Sequence, residues 1–258
     1  MLQSTLYALT SVVIVSLISV IFAVPFLLKK KVSDKTLLFL LSVSVGVLLG
    51  TVFMKFIPEI TGHGYHLETA VYILSGFLLF FIVEKMVHWR HSRKCQECDC
   101  GHSHAYHLAP VNLIGDGIHN FIDGLVIAGS FAVDITLGIA ATISIIFHEI
   151  PQEIADFGVL LYSGLSKKKA LFFNFLSAAT AIIGTIFGLI LIGRLEGFEH
   201  FIIPFAAGNF IYIAASNLVP QLHRHCKMKD SILHILAIIM GIGIIAAIAL
   251  IGPGHAHG

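Results

Sequence analysis

The chain has 258 residues, of which 57% are apolar and only 12% charged, and its formal net charge is +1. A soluble domain of this length carries about a quarter charged residues, so the apolar excess must face something other than water. The near-neutral balance supplies no electrostatic footprint for nucleic acid, and a membrane protein is the class that fits.

A helical crossing needs about 20 predominantly apolar residues to match a hydrocarbon core about 30 Å thick. The first such run is Leu6–Leu28. It has no basic residue before it and Lys29, Lys30 and Lys31 after it. A cleaved secretory signal has the opposite polarity, so this span is expected to be retained. Thr36–Ile57 and Thr69–Trp89 follow, then the two most polar runs, Leu108–Phe131 and Ile135–Tyr162, and finally Ala170–Ile192, Phe201–Val219 and Ile232–Ile251. Lipid-exposed backbone must satisfy its own hydrogen bonds, and runs this long are helices rather than barrel strands. All 16 lysines and arginines except Lys55 and Arg194 fall at alternate connections, near residues 29–35, 85–94, 167–169 and 224–229. Those connections are therefore expected to be cytoplasmic. The prediction is an all-α integral membrane protein, one domain over residues 1–258, with eight transmembrane helices in one bundle and both termini extracytoplasmic. A multi-pass place in the cell membrane, or in an organelle membrane of a eukaryote, follows.

Ionisable residues inside a membrane mark functional sites, because each costs a few kcal/mol at the bilayer centre. On the fourth span Asp116, His119 and Asp123 are spaced i, i+3, i+7 along one helix face, with Asn120 beside them. On the fifth, His148 with Gln152 and Glu149 with Glu153 form two adjacent i, i+4 stripes, and Asp156 extends them by a turn. His119 is twelfth of 24 residues in its span and His148 fourteenth of 28, so both are expected near the midplane, where transporter ion sites lie. Five carboxylates (Asp116, Asp123, Glu149, Glu153 and Asp156) would cost roughly 10 kcal/mol or more if unpaired. Neither span contains lysine or arginine. A divalent cation or protons must supply the positive charge. Mixed imidazole and carboxylate donors suit zinc, iron or manganese better than calcium or magnesium. Pro151, within the ligand run, removes its own N–H donor and is expected to kink the helix, freeing a carbonyl toward the ion.

The third-to-fourth connection, about residues 88–107, holds Cys95, Cys98, Cys100, His102 and His104. In the reducing cytoplasm, thiolates and imidazoles at this density are expected to handle metal rather than form disulfides.

The pattern His119-Asn120-x-x-Asp123-Gly124 and the run His148-Glu149-Ile150-Pro151-Gln152-Glu153, followed by Ala155-Asp156-Phe157, resemble the two signatures of the ZIP family of metal transporters. Further matches are Phe80-Phe81-x-x-Glu84-Lys85, Ile57-Pro58-Glu59 and Asn174-Phe175-Leu176-Ser177-Ala178, the last making Asn174 and Ser177 accessory candidates. The resemblance implies an importer of divalent metal, zinc first, into the cytoplasm, often as a homodimer. It implies one metal site on His119, Asp123, His148 and residue 152, and a neighbouring one on Asn120, Asp123, Glu149 and residue 152. The family usually has His or Glu where this chain has Gln152, a neutral and weaker ligand, and commonly a histidine where it has Lys55.

The metal is expected as transported substrate, with no organic cofactor and no nucleic-acid partner. Two other classes compete. An intramembrane zinc hydrolase would begin its H-E-x-x-H signature at His148, but position 152 is Gln, so no enzyme is expected. A cation exporter of the kind that uses a His-x-x-x-Asp pair would be expected to have fewer spans and a soluble cytoplasmic domain.

Overall fold

A computed structural model describes residues 2–27, 34–62, 64–97, 108–195, 197–223 and 228–251. Among them there is no strand, and the chain runs as eight helical rods. Helix α1 is Leu2–Leu27. The second rod joins α2 (Asp34–Thr51) to α3 (Ile57–Gly62) through a π-helical stretch, Val52–Phe56. Then come α4 (Leu67–Glu97), α5 (Leu108–Val133) and α6 (Ile135–Tyr162). The sixth rod is α7 (Lys167–Ala178) and α8 (Thr180–Ile192), separated by a turn at Ala179. The seventh joins α9 (Phe198–Tyr212) to α10 (Val219–Leu222) through a second π stretch, Ile213–Leu218, and α11 (Met228–Ile251) ends the described chain.

Six rods contain helix long and apolar enough to cross a membrane, while α1 has a shorter apolar stretch, Leu2–Ile18. Helix α5 is not among the six, and its Asp116, His119, Asn120 and Asp123 are the reason. Each expected span lies within one rod to within a residue, the fifth with both ends matched. What hydropathy did not disclose is the two π stretches. They change hydrogen-bond register without interrupting the apolar run.

Helix α5 packs most extensively on α8 and α6, with α1 and α7 against the same group; α11 packs on α2, α4 on α9, and α2 also lies against α6. The α5–α8 crossing is backbone on backbone. A methyl group at Gly124 would strike the carbonyl of Ala181, and one at Gly184 the carbonyl of Phe121. Small residues let membrane helices approach this closely, and the crossing also carries a Thr185 hydroxyl donating to the Gly124 carbonyl at 3.0 Å. Gly184→Val should cost about 3 kcal/mol, the upper end for overpacking, because the struck atom belongs to a helix backbone that cannot swing aside. A lower melting temperature in detergent checks this.

Asp134 alone links α5 to α6. Its carboxylate caps α6, accepting from the amides of Thr136 (2.8 Å) and Leu137 (3.1 Å) and from the Thr136 hydroxyl. Lys55, on the first π stretch, donates to that hydroxyl oxygen at 2.7 Å. Burial would raise the Asp134 pKa, but the bonds from Thr136 and Leu137 and the charge of Lys55 outweigh it, leaving the carboxyl below its ordinary value. A depressed carboxylate contributes stability above its unfolded pKa of about 4, and loses it as pH falls through the lower folded value. Asp134→Ala should therefore cost about 1 kcal/mol at neutral pH, with the gap to wild type closing in thermal melts taken below about pH 4.

Candidate metal centre

Helices α5 and α6 lie side by side and turn their polar faces toward each other. His119, Asp123, His148 and Glu149 are all buried, and one ligand atom from each lies within 4.8 Å of the others. His119 Nε2 stands 3.2 Å from His148 Nε2 and 3.3 Å from Glu149 Oε1, and His148 Nε2 is 3.0 Å from Asp123 Oδ2. A second group shares Glu149: Asp116, Glu149 and Glu153 also offer oxygens within 4.8 Å of one another. The first set mixes nitrogen and oxygen donors, and the second is all oxygen.

The tautomer of His148 follows from its neighbour. Its Nδ1 lies 2.9 Å from the carbonyl of Ser144, which can only accept, so Nδ1 carries a hydrogen. In the neutral ring Nε2 is then a bare lone pair, and it faces a carboxylate oxygen and a second ring nitrogen. Acceptors aimed at one point repel unless a cation or a proton sits among them. Further polar atoms add to the imbalance. Asp116 Oδ2, Asn120 Oδ1, Asp123 Oδ1, both Glu149 oxygens and Asn174 Oδ1 are buried without a hydrogen-bond partner, Glu149 Oε1 meeting the His119 ring nitrogen at ion-pair distance. Buried polar atoms are satisfied as a rule, so a concentration of exceptions points to a missing positive partner.

The remaining candidates surround these two groups. Asn120 Nδ2 donates to the Asp116 carboxylate at 3.0 Å and Gln152 Nε2 to the same oxygen at 3.1 Å. Asn174, on α7, donates to Glu153. Asp156 accepts from Asn112 at 3.0 Å, and Ser177 donates to the Leu113 carbonyl at 3.1 Å, which ties α7 to α5. Cys98, Cys100, His102 and His104 lie outside the described residues, as does the side chain of Cys95. The expectation for Pro151 takes a different form here. Helix α6 continues through it, and the carbonyl of Phe147 receives a hydrogen bond from the Ser44 hydroxyl of α2.

Sequence reasoning did not find the aromatic walls. Phe80 of α4 meets the His119 ring edge-on at 5.1 Å between centroids, and Phe210 of α9 meets His148 at 5.9 Å. Phe210 also contacts Phe56 at 5.5 Å. Phe80 stands out only within the Phe80-Phe81-x-x-Glu84-Lys85 match, and Phe56 and Phe210 read as ordinary core in an apolar helix.

A cavity of about 300 Å³ reaches His119 and His148 past Asp116, Gln152, Asp156 and Glu84. Its outer lining, Leu37, Asn112 and Gln221, lies at the helix ends next to the basic connections. Among the described residues that line it, none is lysine or arginine. A separate cavity of about 920 Å³, with Glu59, His66, Glu68 and His200 in its wall, lies at the opposite helix ends and shares no lining residue with the first. On α9, Phe210 stands between Pro204 of that cavity and Tyr212 of the first.

Apolar rods enclosing a buried cluster of imidazoles and carboxylates define an all-α membrane protein with a candidate cation centre inside the bundle. The profile of the ZIP zinc transporter family matches residues 2–111 and 90–249, and the chain belongs to that family. It is 31% identical to zinc transporter zipt-7.1 of Caenorhabditis briggsae, over 82% of this chain and 71% of that one. It is also 31% identical to the Drosophila melanogaster zinc transporter ZIP13 homolog, over 86% and 80%. With the human metal cation symporter ZIP14 the identity is 28%, over 95% of this chain and 66% of the relative.

Proposed function

We propose that the protein carries divalent metal cations, zinc foremost and iron or manganese with it, into the cytoplasm. The ion is held on His119, Asp123, His148 and Glu149, and a neighbouring position on Asp116, Glu149 and Glu153 takes a second ion or the same ion in passage. Gln152, Asn120 and Asn174 orient the acids. Eight crossings with both termini outside agree with the eight rods and with the alternation of basic connections. On that orientation the 300 Å³ cavity opens to the cytoplasm and the wider one to the exterior. The names of the relatives, zinc transporters and a metal cation symporter, support the same reading.

The observation that carries the proposal is the buried cluster of imidazoles and carboxylates on α5 and α6, in which both Glu149 oxygens, Asp116 Oδ2 and Asp123 Oδ1 have no hydrogen-bond partner and no lysine or arginine is present. Metal and protons compete for those lone pairs, so protonation of His148 or Glu153 is a route to release. Metal or proton gradients supply the drive, and transport proceeds by alternating access.

Proteoliposomes bearing the wild-type chain should accumulate radiolabelled zinc faster than protein-free vesicles and saturate with zinc concentration. Uptake no faster than that of empty vesicles, under metal and proton gradients of either sign, would remove the transport reading.

A further inference from the structure

We propose that Ser44 is a positioning residue for the metal-binding pair on α6. Its hydroxyl replaces the amide hydrogen that Pro151 lacks, and so fixes the turn that presents His148 and Glu149. In a regular helix the carbonyl of residue 147 would accept from the amide of residue 151, and proline has none to give. Within a membrane no water stands ready to serve the orphaned oxygen. Ser44 is fully buried on α2, a helix that contributes nothing to either donor group, and its Oγ lies 2.5 Å from the Phe147 carbonyl oxygen. The same Oγ is 2.8 Å from the Leu40 carbonyl. A hydroxyl has one hydrogen, and the Leu40 carbonyl already has the helical amide of Ser44, so the hydrogen is worth most on Phe147.

The neighbouring turn is held in the same way. Ser144 Oγ and Thr51 Oγ1 are 2.6 Å apart, and the Ser144 carbonyl receives His148 Nδ1. Two hydroxyls of α2 thus grip residues 144–147 of α6, the segment directly before the two ligands. Loosening the grip at Phe147 lets the turn relax and carries His148 and Glu149 out of register with His119 and Asp123.

The inference rests on the cluster being a metal site, and its test separates the two. Zinc affinity of the full chain in detergent is measured, by competition with a fluorescent chelator, for wild type, Ser44→Ala, Pro151→Ala and the double variant. Ser44→Ala should weaken zinc about tenfold, the worth of one hydrogen bond, and Ser44→Thr should hold the wild-type value. With Pro151→Ala present, a backbone amide serves Phe147 again, and loss of the serine hydroxyl should cost less than about twofold. Equal losses in both backgrounds would mean that Ser44 merely packs, and the inference would be overturned. If Ser44→Ala fails to fold alone but folds with Pro151→Ala, the coupling is seen in yield instead; failure in both backgrounds overturns it. A wild-type chain that binds no zinc refutes the metal reading, and the same cycle in melting temperature then tests the hydroxyl–carbonyl bond.

Discussion

Glu149→Gln should weaken zinc binding by about a hundredfold or more while raising the melting temperature of the metal-free protein. Glu149 is the one carboxylate common to both donor groups, it is fully buried, and neither of its oxygens has a hydrogen-bond partner. Glutamine keeps the shape and removes the charge. With metal bound, a buried opposite-charge contact is lost, worth about 3–5 kcal/mol. Without metal, the crowding of like charges among Asp116, Glu149 and Glu153 is relieved, which should stabilise the fold by about 2 kcal/mol, or roughly 5 °C. Thermal melts with and without zinc read both terms at once. Wild type at a thousandfold excess over Kd should gain about 4 kcal/mol from zinc, and the variant little. An unchanged zinc-induced shift in the variant would remove Glu149 from the centre.

His119→Ala combined with Asp123→Ala should abolish zinc uptake yet leave weak binding of harder cations. These two side chains supply half of the mixed donor group, one nitrogen and one oxygen, and leave Asp116, Glu149 and Glu153 untouched. A carboxylate-only site suits manganese and magnesium and loses much of the preference for zinc that imidazole supplies. Vesicles bearing the double variant should therefore show zinc uptake at background, while the detergent-solubilised protein still binds manganese at high micromolar to millimolar levels, read by electron paramagnetic resonance. Wild-type rates of zinc uptake would show that the ion passes elsewhere.

Much of the architecture was readable from the chain. Long apolar runs set apart by clusters of lysine and arginine locate the rods, because crossing length and backbone satisfaction leave few alternatives. The polar faces of α5 and α6 were legible for a different reason. His119 with Asp123, and His148 with Glu149, are too costly in lipid to be there without a partner. Spacing alone could not reveal how the acids divide. It does not disclose that Glu149 belongs to both groups, that Asn174 reaches Glu153 from α7, or that Gln152 turns its amide to Asp116. Those relations depend on interhelical distance, set by contacts such as Gly124 against α8, and no single helix encodes them. The partner of the Phe147 carbonyl was hidden likewise. Proline announces that an acceptor is released, and only the packing of α2 tells which donor meets it.

The packed rings where Phe210 meets Phe56 and His148 have a kinetic meaning. Under the proposed function an ion resting beside His148 has an open route on one side and packed rings on the other, so no ion passes while the rods keep this arrangement, however steep the gradient. On the same reading each cation crosses only when the rods rearrange, a microsecond-to-millisecond event, which places the ceiling on turnover between about a thousand and about a million ions per second. Throughput should accordingly plateau with concentration and climb steeply on warming, following the barrier of the moving helices rather than the mobility of the ion.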